Sequence, residues 1–466
     1  MSRVLPPEEQ ETLKVTAERF VPGGESVCET ERGNKKVLVP YAATGDVLEI
    51  KTTGTNSKAM HEGTILHVLQ HGHGRTEPEC PLHFTPGKTF WCGGCDFGHL
   101  TYDEQLKAKF EIVEESFRRA GLANIAVRKP LASPVDKRYR NKNQIPVVHK
   151  ADGRVLTGFY QPGTHRIVPF EDCIVQPKLT IEILRVLREL VSKAGWSTYD
   201  IDSGRGWLKH FFIRTNSKSE AVVVLVASSG DAPGIEQIVR KLTRAVPAVV
   251  SVYLNVQIEK TPVVLGHEWI HLHGKSLLTE TLCGMEFMMY PGSFLQVNNR
   301  AAEKMFNIVG DFLAMGEKTP FLYDIYCGVG VIGLLHCNGY ERLIGIEENQ
   351  GAVACAYKNA ENNHIENASF IAGKAETVFA ADIYSKLSRT ATVIVDPPRK
   401  GCNIALLTRF KHPSIRKIIY VSCNPETFAR DAQVLMTCGF DLKIVQPIDM
   451  FPQTAHIELI TYFERS

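Results

Sequence analysis

From about residue 320 onward the chain alternates strand with helix, and no other feature restricts its fold as much. FLYDIY, RLIGIE, ASFI, ATVIVD and RKIIYVS are short aliphatic runs separated by helix-length segments such as NQGAVACAYKNAENNH. Strands joined by helical crossovers run parallel, and a parallel sheet needs both faces covered. The expected fold class is α/β, with ligands gathered at the carboxyl edge of the strands.

A chain of 466 residues exceeds one ordinary core and suggests roughly three domains at about 150 residues each. Residues 11–72 read as short strands broken by Gly and Pro: LKVTAERF, KKVLVPYA, GDVLEIKTT and EGTILHVLQ. That spacing predicts a small β-barrel of the oligonucleotide-binding kind. HGHGRTEPE reads as a linker. CPLHFTPGKTFWCGGC follows, then a helix in which Leu106, Phe110, Val113 and Phe117 recur at helical spacing. Residues 73–290 form an expected α+β middle domain, with helices over LTIEILRVLRELVSKAG and GIEQIVRKLTRAV, and 291–466 the parallel-sheet domain.

With 44% hydrophobic and 22% charged residues the composition is that of a soluble globular protein. A formal charge of only +2 means that a nucleic-acid partner is held by a local basic patch. No apolar stretch approaches the roughly 20 residues of a membrane span, and MSRVLPPEEQETLK has no signal-peptide core. A cytoplasmic, non-membrane protein is expected. Its twelve cysteines are then reduced, and some are ligands or reactive groups rather than disulfides.

DIYCGVGVIG, 324–333, closes a strand and opens a helix, with Gly328 and Gly330 letting backbone approach a ligand. Glu347, ending the next strand, lies 19 residues after Gly328, an offset that suits a ribose diol. The glycines alone fit S-adenosylmethionine, a dinucleotide or a purely structural turn. VIVDPPRKG places Asp396 at the end of the fourth strand, and YVSCNPETFARD places Cys423 at the end of the fifth, where Asn424 and Pro425 force a turn.

These segments resemble the uracil-5 RNA methyltransferase family. FLQVN (294–298), DIYCGVG, GIE, VIVDPPRKG, YVSCNPETFARD and FPQTAHIE (451–458) run in the family order, and the upstream cysteines and leading barrel extend the likeness over nearly the whole chain. The resemblance implies a Rossmann-like class I methyltransferase domain, a TRAM-like barrel that binds RNA, and methylation of carbon 5 of a uridine. Carbon 5 of uracil is a weak nucleophile; a thiolate adding to carbon 6 makes an enolate that attacks a sulfonium methyl. Cys423 is the expected thiolate, with the start of the following helix favouring its anion. By resemblance, Glu458 is the general base for the carbon 5 proton, and Gln296, Tyr326, Glu347 and Asp396 join Gly328 and Gly330 around S-adenosyl-L-methionine. Val331 stands where members often carry Asn.

Cys80, Cys92, Cys95 and Cys173 suit zinc or an iron-sulfur cluster equally on spacing. The resemblance implies a 4Fe-4S cluster, although eleven residues separate Cys80 from Cys92 where five is usual. The other seven cysteines, Cys28, Cys283, Cys327, Cys337, Cys355, Cys402 and Cys438, read as core or incidental. RKPLASPVDKRYRNK, 128–142, holds six basic residues against one acidic. Arg138, Tyr139, Arg140 and Lys142 are expected RNA contacts, with Tyr139 stacking on a base. The expected enzyme is a monomer acting on RNA, 23S ribosomal RNA favoured over transfer RNA because transfer RNA members often lack the four cysteines. A cytosine-5 RNA methyltransferase would place a second cysteine where Arg399 follows Pro398. A radical enzyme would need three closely spaced cysteines. The non-enzyme alternative is an RNA-binding assembly factor with a structural metal.

Overall fold

The computed structural model describes residues 3–33, 35–55, 60–150, 152–380 and 389–466. The five runs beyond residue 320 pair in parallel in the order Ala368–Ala372, Arg342–Glu347, Phe321–Ile325, Ala391–Val395 and Ile415–Ser422. Strand order reverses beside Phe321–Ile325, which opens a crevice at the carboxyl edge between it and Ala391–Val395. Two antiparallel strands complete the sheet, Glu458–Arg465 lying between Ile415–Ser422 and Phe440–Ile448. Ser422 pairs with Leu459. The ladder ends there, one residue short of Cys423 on one strand and of Glu458 on the other, and the Glu458 carboxyl acts electrostatically on the Cys423 thiol.

The leading segment closes as expected of a barrel. Thr12–Phe20, Ser26–Thr30, Lys36–Val39, Val47–Thr55 and His61–Gln70 join in one sheet, and Val47–Thr55 pairs with His61–Gln70 to shut it. Its interior holds Val15, Cys28, Val37, Val39, Leu48, Ile50 and Ile65. Ser26–Thr30, sequence SVCET, escaped the sequence reading because it lacks an alternating apolar run. Along the chain, between barrel and catalytic sheet, comes a seven-stranded sheet running from Glu268–Gly274 to Ile167–Pro169, antiparallel except where Ala221–Ala227 meets Val249–Val256. Helices Lys178–Ala194 and Ile235–Ala245 bury their apolar stripes on it. Among the described residues, no helix is long and apolar enough to cross a membrane.

Asp449–Ile457, between the two antiparallel strands, carries most of the FPQTAHIE motif and is gripped by upstream elements. From the helix Tyr102–Arg119, fully buried Lys109 donates to Asp449 Oδ1 at 2.5 Å and to the Phe451 carbonyl at 3.0 Å. On the same helix Gln105 accepts from the Gln453 amide at 2.8 Å. Tyr139 Oη donates to the Pro452 carbonyl at 2.8 Å, and Asn298 Nδ2 to that of Met450 at 3.2 Å. Lys109→Met strands a buried carboxylate and is expected to destabilise the protein by about 3–5 kcal/mol in urea unfolding, part of which the double variant with Asp449→Leu recovers. Equal stability of Lys109→Met and the parent protein would refute this assignment.

Candidate active site

The cofactor-type crevice is built by the turn after Phe321–Ile325. Tyr326 adopts a left-handed φ of 66° without being glycine, and Gly328 and Gly330 follow at φ 55° and 85°. A Cβ on Gly328 would project into open space, whereas one on Gly333 would meet Asp324 Oδ2 at 2.8 Å. The first glycine thus leaves room at the cavity, and the last allows the short helix Val331–His336 to press onto the sheet. The Gly328 amide donates to Glu347 Oε2 at 3.1 Å and the Asn349 amide to Glu347 Oε1 at 2.8 Å. Phe294, Gln296, Asp324, Tyr326, Gly328, Val331 and Asp396 line one cavity here. Asp324 was not singled out from sequence. Its Oδ2 accepts from the Gly333 amide, while its buried Oδ1 has no partner among the described residues.

Asp396 adjoins this cavity, and Cys423 and Glu458 stand beside it. Burial, and then the neighbouring Asp324, push the Asp396 carboxyl up to about 7; burial first, and Glu347 with it, also raise Asp324 to about 7 against one amide hydrogen bond from Gly333. Fully buried Glu458 lies well above the ordinary carboxylate range, raised by burial and by Asp396 and opposed by Arg399. Cys423 is pushed up to about 11 by burial first and then by Glu458, with Arg399 acting the other way. This corrects the expectation of a thiolate favoured by the helix start. The helix Pro425–Thr437 is capped by Asn424, whose side chain already accepts from the Glu426 amide.

Arg399, used in the sequence only to exclude a second cysteine, is the cation that acts on both Cys423 and Glu458. Its Nη2 lies 3.0 Å from His456 Nε2, and its carbonyl accepts from Asn424 Nδ2 and Thr427 Oγ1. Asp431 fastens the acceptor loop below, accepting from Tyr420 Oη at 2.6 Å and from the Cys402 amide at 2.7 Å.

The basic segment departs from expectation. Tyr139 is 6% exposed with its hydroxyl spent on Pro452, so its ring is not available to a base. Arg138 pairs with Asp172 and donates to the carbonyls of Cys173 and Gln176, which makes it a brace for the Cys173 loop. Arg140 and Lys142 stay near the site: Arg140 acts electrostatically on His456, and the Lys142 ammonium lies 5.3 Å from the ring centre of Phe294, itself 61% exposed. Burial pushes Lys142 down to about 7.

Cys80, Cys92, Cys95 and Cys173 gather in one region, where the thiol of Cys95 feels the charge of the other three. The Gly94 amide points at Cys92 Sγ at 3.4 Å, and the amides of Val175 and Gln176 face Cys173. The long insert after Cys80 is absorbed because the Cys92 amide returns to the Leu82 carbonyl at 2.8 Å, while Phe84 and Trp91 pack on Tyr41 of the barrel. Among the described residues no three His, Cys, Asp or Glu side chains come close enough together to hold a single ion. The quartet is a shared pocket of thiols rather than a formed tetrahedral site.

Residues 101–466 match the tRNA (uracil-5-)-methyltransferase family. The chain belongs to this family. It is 34% identical to an uncharacterized RNA methyltransferase of Clostridium tetani, over 92% of each chain, and 32% identical to one of Halalkalibacterium halodurans, over 98% of each. Among solved structures, the Pyrococcus abyssi tRNA (uracil-54, C5)-methyltransferase in complex with S-adenosyl-L-homocysteine superposes with a TM-score of 0.75 at 26% identity, covering 96% of this chain and 99% of that one. The protein is thus an RNA (uracil-5-)-methyltransferase, with the barrel and α/β sheet of that fold.

Asp324 and Asp396, at about 7 when folded against about 3.9 unfolded, bind protons more tightly in the folded state. Their contribution to stability is complete below about pH 4 and is lost as pH rises through 7. Denaturant midpoints of the ligand-free protein should therefore fall between pH 5 and 8, and less steeply in Asp324→Asn, which stays neutral. Identical slopes would contradict the raised Asp324 carboxyl.

Proposed function

We propose that this methyltransferase moves the methyl group of S-adenosyl-L-methionine to carbon 5 of a uridine in RNA through a bond between Cys423 and carbon 6. The observation that carries the reading is that the ladder closes at Ser422 and Leu459, which brings the adjoining Cys423 and Glu458 within electrostatic reach of each other beside a cavity lined by Asp396. Gln296, Tyr326, Gly328, Gly330, Glu347 and Asp396 are the proposed cofactor contacts. Both Glu347 oxygens keep a lone pair for a ribose diol after accepting their amides. The open space at Gly328 and the unpartnered Asp324 Oδ1 suit a polar ligand. The cofactor supplies an electrophilic methyl.

Cys423 gives its proton to solvent, helped by the Arg399 charge, and its sulfur bonds to carbon 6 as the ring electrons pass toward the carbonyl at carbon 4. Carbon 5 then attacks the methyl, and the sulfonium leaves as a neutral thioether. Glu458 takes the carbon 5 proton, and the electrons left behind restore the ring double bond and expel the Cys423 thiolate. A flipped uridine reaching Cys423 passes Phe294, with Arg140 and Lys142 placed to meet its backbone phosphates.

Cys80, Cys92, Cys95 and Cys173 are the proposed ligands of a 4Fe-4S cluster, supported by the four neighbouring thiols and the amides aimed at two of them. Bound there, it would tie the Cys173 loop to the Cys92–Cys95 turn; zinc is the alternative metal. For the target, the quartet supports 23S ribosomal RNA, and the likeness to the Pyrococcus abyssi tRNA (uracil-54, C5)-methyltransferase supports transfer RNA as a second reading. Mapping 5-methyluridine in cellular RNA with and without the protein separates them.

Cys423→Ala should abolish methylation and any covalent RNA adduct. Glu458→Gln should lower turnover by about 10²–10⁴-fold and leave methylated RNA bonded to Cys423 as a denaturation-resistant band. Methylation by Cys423→Ala would end the thiolate reading. Anaerobically purified protein is expected to be brown, with about four irons per chain; stoichiometric zinc without iron would replace the cluster.

A further inference from the structure

We infer that Asp96 is a positioning residue for Glu458, holding the turn from which the general base emerges. The inference rests on the proposed role of Glu458. The turn needs holding, because Gln453 at its centre has a left-handed φ of 72° in a non-glycine residue, a conformation that persists only where surroundings impose it. Asp96 grips it at two points. The amides of Asp96 and Phe97 donate to the Gln453 carbonyl at 3.0 and 2.9 Å, and Asp96 Oδ2 accepts from the Ala455 amide at 3.0 Å. Gln105 holds the Gln453 amide from the neighbouring helix at 2.8 Å.

Bonds within the turn, such as Thr454 Oγ1 donating to the Phe451 carbonyl, set its curvature but not its place against the sheet. Upstream groups fix that place: Lys109, Gln105 and Tyr139 hold residues 449–453, and the Asp96 side chain holds Ala455, further toward Glu458. One residue beyond Ala455 is His456, beside the Arg399 guanidinium, and three residues beyond is Glu458. Glu458 is the first residue of its strand, paired with Ile448; an unpinned Ala455 lets the residues leading into that end rung shift, and a displacement of about 1 Å there slows a positioned step by up to about 10²-fold.

Such a shift has a distinctive signature. Addition of sulfur to carbon 6 and methyl transfer depend on Cys423 and the cavity, which Asp96 does not touch. Removal of the carbon 5 proton depends on Glu458. A misplaced base therefore stalls the enzyme after methylation, with RNA still bonded to Cys423. General loss of structure slows all steps and accumulates nothing.

The experiment uses full-length protein, S-adenosyl-L-methionine with a labelled methyl group, and RNA containing the target uridine. Parent, Asp96→Ala, Asp96→Glu, Asp96→Asn and Glu458→Gln are compared for turnover, KM for RNA and the labelled denaturation-resistant band. Asp96→Ala, and Asp96→Glu if the first fails to fold, should show about 10- to 100-fold lower turnover, an RNA KM within about twofold of the parent, and the band. Asp96→Asn keeps an acceptor for the Ala455 amide and should behave as the parent. If Glu458→Gln gives the band and neither Asp96→Ala nor Asp96→Glu does, the positioning role is overturned. If Glu458→Gln itself gives none, the reading of Glu458 fails and the inference falls with it.

Discussion

A buried ammonium is tolerable only where a carboxylate and further acceptors meet it, and the pair of Lys109 with Asp449 satisfies that condition with no solvent exposure on either side chain. Its importance lies in where it sits. Asp449 begins the segment that leads to Glu458, and Lys109 projects from a helix that belongs to the part of the chain preceding the middle sheet. The carbonyls of Phe451, Pro452 and Gln453 are each taken by a donor from upstream. The active-site turn is therefore shaped by parts of the protein that contribute nothing to the chemistry directly.

The chemistry gathers groups that resist being charged together. Asp324, Asp396, Glu458 and Cys423 all hold their protons more tightly than usual, chiefly because Asp324 and Glu458 are buried and Asp396 and Cys423 are partly so. Arg399, whose side chain is exposed, acts on two of them from outside the buried group. A ligand bringing positive charge into the cavity favours the ionised carboxylates, so the resting enzyme stores proton affinity that binding partly releases.

The catalytic sheet was legible because parallel strands buried on both faces appear as unbroken aliphatic runs, and because glycine, Asn-Pro and Pro-Pro mark where they end. Cys423 was legible for the same reason, standing at the end of such a run. Arg399 was not, since its influence exists only once Cys423 and Glu458 have been brought to one edge. Tyr139 was misjudged: an aromatic among basic residues looks like a nucleic-acid surface, and the carbonyl that claims its hydroxyl lies 313 residues further along. The cysteine insert looked disruptive because spacing was counted along the chain, whereas a single hydrogen bond from Cys92 to Leu82 closes it.

The bonds from Gln105 to Gln453 and from Lys109 to Asp449 span 348 and 340 residues. Contacts of such separation form only after a large loop has closed, at an entropic penalty that local structure does not meet. The catalytic sheet can therefore take shape before the turn beside it acquires its final geometry. The same separation makes the catalytic half a poor module. Excised from the helix that carries Lys109, it would retain its sheet and lose the scaffold of its own active site.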